Sequence, residues 1–133
     1  MKTEPKEWSW EDQVESGTKG AVWDGVRNFQ ARNNLKKMKL EDQFFFYHTG
    51  SEKKIVGIGK IIKEFFLDSR DSSGKFGSIM VRSYKSFRVH VSLNDIRNNS
   101  LLRHLALLKQ SRLSVMPIDL KSWKIICKMG KII

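Results

Sequence analysis

Side chains that can stack, donate hydrogen bonds and carry charge crowd into one stretch, Trp23-Asp24-Gly25-Val26-Arg27-Asn28-Phe29-Gln30-Ala31-Arg32-Asn33. An apolar core has no use for such a mixture. It suits a nucleobase, which is held by an aromatic face and by hydrogen bonds to its edge while Lys and Arg meet the phosphates around the rim. Trp23 precedes a turn, where an indole can stand at a pocket mouth. Asn28 and Gln30, and much later Arg112 and Ser114, supply donors and acceptors, and Tyr47 and His48 end an apolar segment. Each also has a structural reading: Trp23 as a core tryptophan, Asp24 with Arg27 as a cap and ion pair. Arg27 opens the inward face of a helix on its spacing, and a buried guanidinium without a partner costs several kcal/mol, so Asp24, the nearest carboxylate, is its expected partner.

Other chemistries find less support. His48, His90 and His104 show no metal-ligand spacing with one another or with Cys127. Ser114 or Ser9 could be set beside His48 and Asp24, but no nucleophile elbow or oxyanion motif accompanies them. Gly57-Ile58-Gly59 lacks the third glycine and the following helix of a phosphate-binding loop. Catalysis would have to rest on His48, the one candidate base in the proposed pocket.

The elements that must position these residues follow from pattern. Ser9 and Asp12 form a capping-box pair for a short helix ending near Gly17. Asp24 is a candidate N-cap and Gly25 a sharp turn, after which Arg27, Ala31, Asn34, Leu35 and Met38 share one face of a helix reaching about Lys39. Gln43 to His48 is apolar on both alternating faces, as the central strand would be, and Lys54 to Phe66 reads as a second long strand bent at its two glycines. Asp68 to Gly77 is a loop. Ser78 to Val81 and Tyr84 to Val91 read as a hairpin with Phe87, Val89 and Val91 inward, which leaves Arg82, Lys85, Arg88 and His90 as an outward basic ridge. Leu101, Leu105 and Leu108 mark an amphipathic helix, and Leu113 and Val115 point opposite to Arg112 and Ser114.

The Trp23 to Asn33 segment resembles the signature of EVE domains. Lys2-Thr3-Glu4-Pro5, Phe46-Tyr47-His48-Thr49 and Ser111-Arg112-Leu113-Ser114-Val115-Met116-Pro117 resemble three further segments of that family, in the same order and over nearly the whole chain. The resemblance implies a single EVE domain over 1–133, an α+β fold built as a PUA-like mixed β-barrel of five or six strands covered by three or four helices. It also implies recognition of a modified nucleobase without catalysis. Carried over residue by residue, it sets Trp23, Asp24, Arg27, Asn28, Tyr47, His48, Arg112 and Ser114 around one cavity as ligand-binding residues.

The whole composition agrees with a binding role. Lys and Arg number 25 against 14 Asp and Glu, and the net charge of +11 attracts a polyanion such as DNA or RNA. The apolar fraction of 40% is that of a globular chain, and no apolar run approaches the roughly 18 residues of a spanning helix. The one cysteine excludes an internal disulfide. A cytoplasmic monomer needing no cofactor, metal or membrane is expected, with nucleic acid as its partner. The rival readings are an enzyme or accessory subunit acting on a modified nucleotide or small nucleobase, and a basic protein-interaction domain.

Overall fold

The computed structural model describes residues 1–69 and 71–132. In chain order it contains β1 (Lys2–Thr3), α1 (Trp10–Glu15), β2 (Ala21–Trp23), α2 (Phe29–Lys37), β3 (Gln43–His48), β4 (Lys54–Leu67), β5 (Gly77–Ser92), α3 (Leu93–Arg97), α4 (Ala106–Lys109) and α5 (Leu120–Met129). The strands form one sheet in the order β1-β3-β4-β5-β2, with β1 parallel to β3 and the other pairs antiparallel. The α+β expectation and the five strands hold. The barrel was stated too tightly, since β1 and β2 remain as edges and the sheet is not closed. Five α-helices stand among the described residues, more than the three or four expected.

The central strand is β4, not β3. Its pairing with β3 and β5 slips register at several points between Ile55 and Phe66, and these bulges curl the sheet. Phe44 and Phe46 of β3 enter one apolar cluster with Trp10, Trp23, Leu35, Ile61, Val81, Leu113 and Val115. Phe45 and Tyr47 enter the other, with Ile58, Phe87, Val91, Leu105 and Ile126. The strand's unbroken apolar run thus comes from cores on both faces of the sheet. The glycines of β4 answer to ring packing as well as curvature: a Cβ at Gly57 would occupy the Trp10 ring, and one at Gly59 the Phe44 ring.

Two expected elements are different. The hairpin predicted within 78–91 is one continuous strand, with Arg82 opposite Lys60 and Ser83 opposite Gly59; its polar middle lies on an exposed part of the sheet and is not a turn. The β4–β5 reversal occurs instead in the loop predicted over 68–77, of which position 70 lies outside the described residues. Val89 is exposed, contrary to expectation. The Arg88 and Val89 amides both donate to the Gly130 carbonyl, at 3.1 and 3.2 Å, which locally breaks the alternation. The helix expected over Leu101, Leu105 and Leu108 is instead a 3-10 turn at Ser100–Leu102 followed by α4, so Leu101 points outward and Leu102, Leu105 and Leu107 are buried.

Local signals set most element starts. Ser9 and Asp12 form the expected capping box of α1, and the same Ser-x-x-Asp pattern at Ser92 and Asp95 starts α3. The N-cap of α2 is Asn28, whose side chain accepts from the Ala31 amide at 2.9 Å, so Asp24 is not the cap. Because Gly57 faces the Trp10 ring in a packed interior, Gly57→Ala should lower unfolding free energy by about 1–3 kcal/mol. Urea denaturation with an unchanged m-value is the expected signature; an unaltered midpoint would show that the ring gives way without cost.

Candidate functional site

The segment from Trp23 to Asn28 leaves β2, turns at Gly25 with φ near 77°, and enters α2. Trp23 is 8% exposed, and its ring meets those of Phe44 and Phe46 edge-on, with centroids 6.0 and 5.6 Å apart. That geometry makes it a core tryptophan. Val26 is buried in the same cluster, while Asp24, Gly25, Arg27 and Asn28 form an exposed rim above it. Arg27 lies outside the inward stripe of α2: its guanidinium is about half exposed and donates to Asp68 at 3.1 Å. The carboxylate expected opposite Arg27 was Asp24; the one found there is Asp68, which is buried and 41 residues away in sequence.

The segment 111–115 comes to this side of the molecule through backbone contacts. The Ser114 carbonyl accepts from the Lys2 amide at 2.9 Å, the Ser111 carbonyl from Lys2 Nζ at 3.0 Å, and the Val115 carbonyl from Asn34 Nδ2 at 2.7 Å. It is wedged between β1 and α2. Leu113 and Val115 then enter the Trp23 cluster, as their alternation predicts, while Arg112 is exposed and Ser114 half-buried. Trp8 packs against the same cluster, its indole donating to Gln13 Oε1 at 2.9 Å, and Gln13 in turn donates to the Val81 carbonyl at 3.2 Å.

Tyr47 and His48 are consecutive in β3 and therefore face opposite sides of the sheet. Tyr47 lines a cavity of about 310 Å³ with Met38, Phe45, Met116 and Trp123. Burial pushes its hydroxyl pKa up, against a smaller downward pull from Arg97. His48 lines a different cavity of about 350 Å³ with Glu4, Trp10, Glu52, Lys54 and His90. Neither cavity includes Trp23, Asp24, Arg27, Asn28, Arg112 or Ser114. The eight residues are thus divided: Trp23, Asp24, Arg27 and Asn28 at the turn into α2, Arg112 and Ser114 on the segment whose Leu113 and Val115 share the Trp23 cluster, and Tyr47 and His48 in two other places.

His48 is not poised as a base. Its Nε2 accepts from the buried Trp10 amide at 3.0 Å and its Nδ1 lies 2.9 Å from Glu52 Oε1, so a neutral ring donating to Glu52 satisfies both nitrogens. That bond is the main cause holding the Glu52 carboxyl below its ordinary pKa. Across the cavity, burial lowers the His90 pKa, with Lys54 and His48 adding to the effect. A serine, a histidine and an aspartate do meet elsewhere, but Ser122 Oγ and Asp119 Oδ1 both approach His104 Nε2, at 3.2 and 2.9 Å. A histidine that meets both partners through one nitrogen cannot relay a proton between them. Asp119 instead caps α5, accepting from the Ser122 amide. No group of three or more His, Cys, Asp or Glu able to hold a metal occurs among the described residues, and no helix there is long and apolar enough to cross a membrane.

The EVE domain family model matches residues 1–129. The chain belongs to the EVE domain family. Thymocyte nuclear protein 1 of Mus musculus is 30% identical over 161 residues, which span 97% of this chain and 71% of the mouse protein. Rpa0253 from Rhodopseudomonas palustris is 41% identical and superposes with a TM-score of 0.95 over 100% of this chain and 92% of that one. The human THYN1 protein, solved in complex with 5-methylcytosine containing DNA, gives a TM-score of 0.88 at 26% identity, covering 98% of this chain and 95% of that one. The EVE architecture, α+β and PUA-like, is therefore shared end to end.

Within this EVE domain, three features escape sequence reasoning. Asp68 carries no spacing relation to Arg27, so only the fold brings them together. The exposed Phe29 ring lies 5.0 Å from Phe76, with the Arg32 guanidinium 4.9 Å above Phe29; its place in a helix-starting stretch gave no sign of this pair. Lys60 joins Arg82 and Lys85 around Tyr84, so only part of the expected ridge assembles there, and the sequence signal was the flanking of Tyr84 by two cations. Because His48 supplies the acceptor for a buried amide, His48→Ala should cost about 1–3 kcal/mol of stability. Glu52→Gln, which keeps an acceptor for the His48 ring at a partly exposed position, should cost at most about 1 kcal/mol. Paired denaturation curves separate them; equal losses would make the bond to Glu52 the dominant role of His48.

Proposed function

We propose that this EVE domain binds nucleic acid and reads a modified base without transforming it. The observation that carries this reading is the superposition, across 98% of the chain, on a human protein solved with 5-methylcytosine containing DNA. The net charge of +11 supports the same partner. The base-reading region is the rim formed by Asp24, Arg27 and Asn28 with Arg112 and Ser114, floored by the Trp23, Val26 and Leu113 cluster.

The chemistry available there is positioning. Exposed guanidinium groups offer planar donors to a base edge or a phosphate, backbone carbonyls offer acceptors, and the packed aromatic floor supports the rim. Trp23 contributes as support, since its ring already packs edge-on against Phe44 and Phe46. The engagement of both His48 nitrogens favours a reader over an enzyme.

Titration of matched oligonucleotides, one carrying 5-methylcytosine and one unmodified, at two salt concentrations tests the reading. Affinity should fall steeply with salt as counterions are released. Arg112→Ala should cut the preference for the modified strand by about 1–3 kcal/mol while leaving the melting temperature unchanged. Absence of binding to either strand at low salt would sink the nucleic-acid reading and favour a basic protein-interaction domain. An Arg112→Ala loss that is equal for both strands would move this residue from the base to the phosphate backbone.

A further inference from the structure

The outward face of the β4–β5 ladder carries a cluster that the base-reading rim does not use. Lys60 and Arg82 are direct cross-strand partners, and Tyr84 lies two residues beyond Arg82 on the same strand. The Lys60 ammonium sits 4.0 Å from the centroid of the Tyr84 ring, that of Lys85 5.2 Å and the Arg82 guanidinium carbon 5.7 Å. The ring is 39% exposed. One carboxylate stands near, Glu41, whose Oε2 is 3.6 Å from Lys60 Nζ and whose side chain is 69% exposed.

Three cations around one ring repel one another, and a single solvated carboxylate offsets only part of that repulsion. The π-face holds them together at a modest gain per cation, which fixes long side chains that would otherwise be disordered by solvent. Nothing in either core requires this arrangement. Neither the cavity beside Tyr47 nor that beside His48 is lined by any of these four residues, and pockets for small anions are concave. Exposed Lys85 and Tyr84 beside half-buried Arg82 and a Lys60 side chain 17% exposed make a pre-ordered set of cations that fits an extended polyanion. Among polyanions, nucleic acid is favoured over an acidic protein segment because a half-exposed aromatic ring amid Lys and Arg is the combination that tracks phosphates and stacks bases.

We infer that Lys60, Arg82, Lys85 and Tyr84 form a second nucleic-acid contact, one that grips the phosphate backbone of the strand whose modified base is read at the rim. This rests on the proposed function and adds where the rest of the strand lies. Such a contact supplies affinity and no sequence or modification preference. It revises the ridge expected from sequence: Arg82 and Lys85 belong to it, whereas His90 lines the cavity beside His48.

The test uses the full chain and the same pair of oligonucleotides, with the triple variant Lys60→Gln, Arg82→Gln and Lys85→Gln, the single variant Lys85→Glu, and Tyr84→Phe and Tyr84→Leu. Tyr84 and Lys85 are exposed whereas Lys60 and Arg82 are partly buried, so circular dichroism melting checks folding; the single Lys85→Glu variant carries the test should the triple one fold poorly. The expected result is about a tenfold or greater loss of affinity for both strands in the triple variant, a salt dependence shallower by about 2–3 in log–log slope, and an unchanged modified-to-plain ratio. Tyr84→Phe should retain binding that Tyr84→Leu loses. Parent-like binding by the triple and Lys85→Glu variants overturns this inference and leaves the function standing. No binding by the parent protein overturns both. Displacement of bound oligonucleotide by poly-glutamate as effectively as by plain DNA overturns the nucleic-acid assignment and makes the face a dock for acidic protein.

Discussion

The fold depends on two glycines in its central strand. β4 is covered by rings, and Gly57 and Gly59 leave the space that Trp10 and Phe44 fill. A side chain at either position would push a ring off the sheet. Trp10 reaches from α1 to an edge-on contact with Phe46 at 5.0 Å and donates its indole N–H to Ser86 Oγ at 2.9 Å, which ties the first helix to β3 and β5. Phe44 and Phe46 then support Trp23, and Trp23 with Val26 supports the turn that carries Asp24, Arg27 and Asn28. The exposed rim therefore rests on the packed cluster under it.

The same sheet separates the domain's chemistry. One face holds the aromatic cluster below the rim; the other packs α5 and its neighbours, with Trp123 stacked on Phe45 at 3.9 Å between centroids. Around the exposed Tyr84, half-buried Lys60 and Arg82 gather positive charge on the sheet. His48 sits between these functions as a structural bond, joining β3 to the start of α1. In this EVE domain of net charge +11, the turn before α2 and the Tyr84 cluster thus lie on different elements.

Much of this was legible in the sequence where the signal is local. The Ser9 and Asp12 box, the doubly apolar β3, the long β4 and the alternation of Leu113 and Val115 against Arg112 and Ser114 depend on residues within a few positions of each other. The family was legible too, through four ordered segments. What misled was polarity without context. Arg82 and Ser83 looked like a turn because they are polar, yet the strand continues through them where the sheet meets solvent. Asp24 looked like the cap of α2 and the partner of Arg27 because it is near in sequence.

Local steric and hydrogen-bonding preferences by themselves determined element starts such as those at Ser9 and Ser92 and the apolar run of β3, and composition determined the basic character, whereas the course of the chain over 78–91 and 101–108 followed its packing. The tertiary structure alone decided which groups meet. Asp68 finds Arg27 through the return of β4, and Lys60 finds Tyr84 through the β4–β5 register. Such meetings join residues far apart in the chain, and no spacing rule reaches them, because the distance between two side chains is set by how elements pack and not by the number of residues between them.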